Sequence, residues 1–531
     1  MRRASRAVIL KSANEKKGQS KMNFRKDKPT ASRAEVWFDD TTLSLQAISR
    51  QPAGMLAEIR KVVRMAARFR EEFVQPRALE MDRRLQADYS YLPWEWVEEA
   101  NRRGFFTLCL PKLFGGQGVC FPALSYFLEE IAVDCLGLAN IIGAHYLGLG
   151  TLIVTWNLPL IAKVCEEIVA GEKSGKACLV SLAMTEPTSG SDTPEPDLLD
   201  KGEVACHAQK VEGGYRVNGA KIFISNGHFS TWHITVAFED LKRPSESGVF
   251  LAVKTGTQGF QIGGKESKMG QLACPASELF FSDCFVPDAH VALSPDHTRG
   301  YSKTHRQIYQ RLFDDLCSIS RAGVCALCAG AARGAYEDVL KFVAATQNQG
   351  DYLINAEWVQ CRLADLYQNA VIARLLQVET NYANGLYGVY KPLQSKAAYY
   401  AVKCLPGAFL RWGLRVMLKH EWLMKMIRKM LMEGFTPAHI QRTAGLAALA
   451  KFTGSDAAMK NCQMALEIMG KAGLRHAGGA EKRLRDAKLL QIYEGTNQIN
   501  RLDLFRNLIG RGLPQVRFYE DAERRTSHHG K

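Results

Sequence analysis

Glu494 stands in Ile492-Tyr493-Glu494-Gly495-Thr496-Asn497-Gln498-Ile499, a carboxylate followed by a glycine, a hydroxyl and two amides. Such a carboxylate can take a proton from carbon if it lies within hydrogen-bond reach of it and away from bulk water. As a lone Glu it reads equally as a surface charge. Leu182-Ala183-Met184-Thr185-Glu186-Pro187-Thr188-Ser189-Gly190-Ser191-Asp192 ends an apolar run in a turn rich in hydroxyls and backbone donors. A turn of that kind suits a pyrophosphate or the polar edge of a ring cofactor, and it suits a solvated loop as well. Lys221-Ile222-Phe223-Ile224-Ser225-Asn226-Gly227 puts an aromatic ring and a hydroxyl two residues apart, on one face of a strand.

Other chemistries are less well served. The 14 cysteines include one close pair, Cys325 and Cys328, in an Ala/Gly-rich helical stretch with no second pair to complete a zinc site. They read as small core residues. The formal net charge of +15 is uneven: residues 1–33 carry +9 and residues 386–432 carry +8, leaving the remainder near −2. A nucleic-acid groove across the main body is therefore disfavoured, although a basic tail could touch any polyanion.

The elements that must position these residues fall into blocks. Residues 1–50 are polar and basic and read as a disordered arm, with an organellar transit peptide as the alternative. Residues 51–176 are helical, with Met55, Ile59, Val62, Val63 and Ala66 at helix spacing. Residues 177–295 read as a small β domain, with strands at Val249 to Val253, Gly259 to Ile262 and Glu278 to Val286. Asn218-Gly219, inside the alternating run from Tyr215 to Ile224, predicts a hairpin turn. Residues 305–512 return to helix, and residues 513–531 form a tail.

Taken together, the three segments resemble the acyl-CoA dehydrogenase family. Its signatures are a Thr-Glu-Pro-x-x-Gly-Ser-Asp turn, an aromatic-Ile-Thr/Ser-Asn-Gly strand and Arg-Asp-Ala-Lys followed by Tyr-Glu-Gly-Thr-x-Gln-Ile. The match runs from about residue 55 to 511 and includes Arg321 on a helix that opens the C-terminal part. The resemblance implies an α+β multidomain fold: an N-terminal helical domain, a middle β domain and a C-terminal four-helix bundle. It implies FAD between the last two, with Leu182, Met184, Thr185, Phe223 and Ser225 meeting the flavin ring. Ser191 would serve the phosphates or the pantetheine arm, and Thr496 and Gln498 would hold the flavin from the C-terminal side. Arg321 would lie near the CoA end of the substrate. Glu494 would be the catalytic base, and its backbone N–H, with Gly495 beside it, would help bind the thioester oxygen. The implied reaction is α-proton abstraction and β-hydride transfer to the flavin, giving a trans-2-enoyl-CoA, with electrons passed to an electron-transferring flavoprotein. An oxygen-using oxidase or monooxygenase, a nucleic-acid-associated flavoprotein and a non-catalytic subunit are the competing readings on the same scaffold.

The chain departs from the family pattern in two places. Thr346, Gln349, Glu357, Glu467 and Lys471 replace residues that reach a neighbouring subunit's FAD in the family, and Ser318 stands where many members carry Asp. These changes leave two expectations open: a homo-oligomer in which Lys471 restores a lost cation, or a hetero-oligomer with a related subunit. The second departure is a basic amphipathic insertion at residues 386–440. Over 408–432, Phe409, Trp412, Val416, Met417, Leu423, Met424, Ile427, Met430 and Leu431 are expected on one helical face and Arg411, Arg415, Lys419, Lys425, Arg428 and Lys429 on the other. Such a helix suits an anionic membrane surface, or packing on its own bundle or at a subunit interface. The expected location is cytoplasmic, with the inner face of a membrane as a variant and the mitochondrial matrix ranked below both.

Overall fold

The computed structural model describes residues 51–391, 395–510, 513 and 516. The arm 1–50 and nearly all of the 513–531 tail lie outside the described residues.

The chain begins with α1 (Gly54–Phe69), whose buried Met55, Val62, Ala66 and Phe69 form one stripe. It continues through α2 (Ala78–Ala87), α3 (Trp94–Arg102), α4 (Pro122–Ala132), α5 (Leu136–Ile153) and α6 (Leu158–Ser174). Apart from Tyr126, α4 is buried all round, and its two carboxylates are paired across the core. Glu129 accepts from Arg374 Nε at 2.8 Å and Glu130 from Arg333 at 2.5 Å, which ties this domain to the C-terminal helices.

The middle domain is an eight-stranded sheet: β1 (Leu179–Ala183), β2 (His207–Val211), β3 (Gly214–Ser225), β4 (Ser230–Phe238), β5 (Gly248–Lys254), β6 (Phe260–Lys265), β7 (Ala276–Pro287) and β8 (Val291–Leu293). Its order is β6-β7-β3-β2-β4-β5-β8, with β1 parallel to β4. Asn218-Gly219 is not a hairpin turn: it lies inside β3, where the pairing with β7 shifts register between Val217 and Gly219. The glycine is needed for close approach. At φ 140, a Cβ on Gly219 would come within 2.7 Å of the Cys206 backbone.

The C-terminal bundle consists of α7 (His305–Ala345), α8 (Glu357–Leu386) and α12 (Pro437–Met469), with α13 (Ala480–Leu489) and α14 (Asn497–Leu504) packed on α12 as an interrupted fourth element. A small hairpin, β9 (Gln347–Asn348) and β10 (Asp351–Tyr352), links α7 to α8. Cys325 and Cys328 are buried where α7 meets Gly454 of α12.

Between α8 and α12 lie α9 (Lys396–Cys404), α10 (Gly407–Leu418) and α11 (Glu421–Glu433). The expected single helix over 408–432 is thus two helices, broken at Lys419 and His420. Arg428, expected on the polar face, is buried: its guanidinium donates to Thr155 O at 3.0 Å and Ala292 O at 2.6 Å, in the seam between the helical and β domains.

Candidate active site

The interruption in the fourth bundle element is where Glu494 sits. Glu494 (φ 58) and Gly495 (φ 79) are both left-handed and turn the chain sharply between α13 and α14. A non-glycine residue held there costs about 1–3 kcal/mol and persists only when its surroundings fix it. They do. Glu494 O accepts from Arg321 Nε and from Asn500 Nδ2, each at 3.3 Å. Gly495 O accepts from Lys451 Nζ at 2.6 Å and from Asn500 Nδ2 at 2.9 Å. Lys451 also donates to Asn497 Oδ1 at 2.9 Å, and Asn497 donates to Asp456 at 2.7 Å. Any Cβ on Gly495 would meet Ile499 Cγ2 at 2.7 Å. With its backbone fixed, Glu494 projects a half-buried carboxylate whose Oε2 accepts from Ser320 Oγ at 2.5 Å.

Arg321, buried at 5% exposure, is committed within the protein: its guanidinium pairs with buried Asp503 at 2.8 Å besides holding Glu494 O. Lys451 is completely buried with neutral oxygens as its hydrogen-bond acceptors. Burial draws its ammonium pKa down to about 8, against the pull of Glu494 and Asp456 nearby.

The β domain builds the other wall. After β1, Glu186 turns inward and pairs with Lys221 of β3 at 2.7 Å, both almost wholly buried. Lys221 also donates to Met184 O at 2.9 Å, Ile222 N donates to Thr185 O at 2.9 Å, and Glu186 accepts from the backbone of Ala205 and Cys206 at 2.6 and 3.1 Å. The Met184-Thr185 turn is thereby fastened to β3. The β3–β7 pairing shifts register between Lys221 and Ile224, and Phe223 takes a left-handed backbone (φ 57). Bulges re-aim side chains. This one leaves the Phe223 ring 56% exposed beside Thr185 and Ser225.

The walls are joined at two places. The turn after β6 places Gln271 so that its Nε2 donates to Asp486 O at 2.9 Å and lies 3.4 Å from Tyr493 OH, next to Glu494. The same turn receives Asn226 N on Pro275 O at 2.9 Å. At the far end of the hydroxyl-rich turn, Tyr309 of α7 donates to Thr193 O at 3.1 Å and Arg506 NH2 to Glu195 at 2.8 Å. A cleft of about 330 Å³ opens there, lined by Pro196, Asp197, Gln307, Arg311, Asp314 and Phe435 among others. Asp314, two turns before Ser320 on α7, has its carboxyl pKa pushed up to about 7 by burial.

The structure thus brings Glu494, Gly495 and Arg321 together on one wall, with Thr496 and Gln498 exposed at the start of α14. On the other wall it gathers Leu182, Met184, Thr185, Phe223 and Ser225, with Ser191 exposed further along the turn. Ser318 is buried and turned back onto its own helix, donating to Asp314 O at 2.6 Å. Gln349, Glu357, Glu467 and Lys471 are exposed and Thr346 half-buried, around the β9–β10 hairpin and the end of α12. Sequence reasoning missed Ser320, Lys451, Asn500, Asp503 and the Glu186–Lys221 pair. A lysine within the Ala-rich run Leu446 to Lys451 was a usable sign, because a charge on an apolar helix face needs a specific partner.

With this geometry in hand, comparison with known proteins identifies the class. Residues 57–157, 181–284, and 313–384 with 421–509 match the N-terminal, middle and C-terminal domains of acyl-CoA dehydrogenase, respectively. The C-terminal match is interrupted at residues 385–420, the stretch that contains α9 and α10. A probable acyl-CoA dehydrogenase, FadE25 of Mycobacterium tuberculosis, is 26% identical over 452 residues, covering 85% of this chain and 95% of that protein. Among solved structures, butyryl-CoA dehydrogenase from Megasphaera elsdenii shares the fold at a TM-score of 0.63 and 22% identity, covering 84% of this chain and 97% of the other. PigA, solved with FAD and proline, does so at 0.61 and 20% identity, covering 87% and 99%. The chain belongs to the acyl-CoA dehydrogenase family, an oxidoreductase family whose fold-mate PigA was solved with FAD. The residues present fit that cofactor: an uncovered aromatic ring at a sheet bulge with hydroxyls beside it suits a flat ring with polar edges.

Proposed function

We propose that the protein oxidises an acyl-CoA thioester to its trans-2-enoyl-CoA, with Glu494 as the base that removes the α-proton. The observation that carries this reading is the fixed left-handed turn at Glu494-Gly495, whose bonds hold the backbone and leave a carboxylate oriented by Ser320. Strain retained at a point bound from three helices is a mark of preorganised chemistry. FAD, when bound, supplies the acceptor for the β-hydrogen and its electron pair.

The protein's own residues do the rest. Glu494 takes the α-proton onto a carboxylate oxygen. Ser320 fixes that carboxylate's rotamer, and Arg321, Asn500 and Lys451 fix its backbone. Thr185, Phe223, Ser225 and, from the other wall, Thr496 and Gln498 hold the cofactor ring, with Leu182 and Met184 packed behind. Ser191 and the cleft that contains Asp314 take the polar end of the substrate. Arg321, already paired with Asp503, acts through the Glu494 loop and does not clamp the CoA end.

Electrons leave to an electron-transferring flavoprotein. The exposed Tyr352, Trp358, Tyr367 and Leu375 around the start of α8 support assembly into an oligomer, which would cover them. Anaerobic titration of the purified flavoprotein with acyl-CoAs of graded chain length tests the reading. Flavin absorbance is expected to bleach with at least one of them; a fully loaded flavin indifferent to the whole panel would exclude it.

A further inference from the structure

We infer that α10 and α11 form a docking surface for an anionic lipid bilayer, so that the enzyme works at a membrane surface. Three observations carry this, none of them drawn from the active site.

First, the two helices are already seated by their inner faces. Leu414, Met424 and Met432 are buried, and Arg428 is bonded into the seam between the helical and β domains. At the end of α11, Arg311 donates to Leu431 O at 2.7 Å and Met432 O at 2.6 Å. Among the described residues, the outer face is what this seating leaves uncovered, Lys429 alone reaching back to Gly300 O at 2.7 Å.

Second, that outer face is apolar at helical spacing. Phe409 and Trp412 of α10, and Trp422, Met426 and Met430 of α11, are 54–67% exposed, with Val416 extending the row on α10. Large exposed apolar groups at periods of three and four are the part of an amphipathic helix that enters the acyl–headgroup boundary, where tryptophan is favoured.

Third, the charge around the row has one dominant sign. Arg411, Arg415, Lys419, Lys425 and Lys429 are exposed, against Glu421, which pairs with Lys425 at 2.7 Å, and Glu433, which ends α11 near Lys429. A second copy docked face to face would set two such cationic rims against each other. Anionic lipid headgroups complement the rim, and cations at the edge of an inserted apolar face strengthen membrane binding. Helices of 12 and 13 residues are too short to cross about 30 Å of hydrocarbon, so the surface lies in the interface. Among the described residues, two helices are long and apolar enough to span, α5 and α7, and both are largely buried in the core.

The test uses the full-length flavoprotein and vesicles of phosphatidylcholine with or without phosphatidylglycerol. Co-sedimentation is expected with the anionic vesicles at low salt, falling sharply in 0.5 M salt, where the screening length is about half that at physiological ionic strength. The double variant Trp412→Ser/Trp422→Ser should bind about tenfold or more weakly. Its flavin content, melting temperature and turnover of a short, water-soluble acyl-CoA should stay at wild-type values. A second variant, Lys425→Gln/Lys429→Gln, should lose binding to anionic vesicles in the same direction. Failure of the wild-type protein to sediment with anionic vesicles would overturn the inference. So would equal binding by the Trp variant, or its conversion from a larger to a smaller oligomer without any vesicle binding by the parent, which would assign the face to protein–protein contact. Loss of acyl-CoA oxidation with vesicle binding intact would count against the proposed reaction alone.

Discussion

The two walls of the candidate site use the same device in different electrostatic settings. On the β side, buried Lys221 holds a main-chain carbonyl, that of Met184, and has buried Glu186 as its counter-ion. On the helical side, buried Lys451 holds the Gly495 carbonyl but donates otherwise to the neutral amide of Asn497. The first arrangement is a closed ion pair that glues a turn to a strand. The second leaves a cation without a bonded carboxylate, held on the residue that follows the proposed base, at a cost visible in its lowered pKa. The difference teaches which wall is scaffold and which is tuned for chemistry: removal of each lysine should be felt in a different observable.

The largest effect is expected from Lys221→Met. It strands Glu186 as an uncompensated buried charge, and removing one partner of such a pair costs about 3–5 kcal/mol. Denaturant unfolding should show that loss, accompanied by poor flavin retention; a variant as stable as the parent would break the assignment of this wall as scaffold.

Lys451→Met should behave differently. At pH 7 the lost hydrogen bonds are offset by no longer burying an ammonium, so stability changes little while turnover falls by about tenfold or more as the Glu494 loop loosens. The sign of the pH dependence follows from the lowered pKa. Between about pH 8 and the unfolded value near 10.4, the unfolded chain binds more protons, so the lysine's contribution to stability rises with pH. The melting-temperature gap between parent and variant should therefore widen from pH 7 to pH 9.5. A gap that narrows would refute the uncompensated-cation account.

Smaller again is Ser320→Ala, which removes one hydrogen bond to a charged group and with it the carboxylate's fixed rotamer. Turnover should fall by about tenfold, with flavin content and unfolding midpoint unchanged. Unaltered single-turnover rates would remove Ser320 from the positioning set.

Much of this architecture was legible in the sequence because its signals are local. The hydroxyl-rich turn, the Phe223–Ser225 pair and the Glu494 segment are short runs whose chemistry can be read without knowing what lies opposite. The helical periodicity at Met55, Val62 and Ala66 also matches the face that the fold buries. The partners were not legible, because each is set by tertiary packing: Ser320 meets Glu494 across 174 residues, and Lys221 meets Glu186 across 35. Asn218-Gly219 misled for a related reason. Its turn chemistry is real, but the contact with Cys206 puts the same glycine to use as a point of close approach. Over 408–432, composition identified an amphipathic surface, yet two helices with a break between them replace one, and Arg428 goes inward to two main-chain carbonyls of the domain seam.

The central claim, that Glu494 removes the proton next to the thioester, can be tested apart from electron transfer. Oxidised flavoprotein is incubated anaerobically in D2O with an acyl-CoA analogue that cannot lose a β-hydride, and deuterium at the α-carbon is followed by mass spectrometry. Wild-type protein should exchange the α-hydrogen, while Glu494→Gln, with its flavin retained, should be slower by about 10²–10⁴-fold. Exchange by the Gln variant at the wild-type rate would contradict the account.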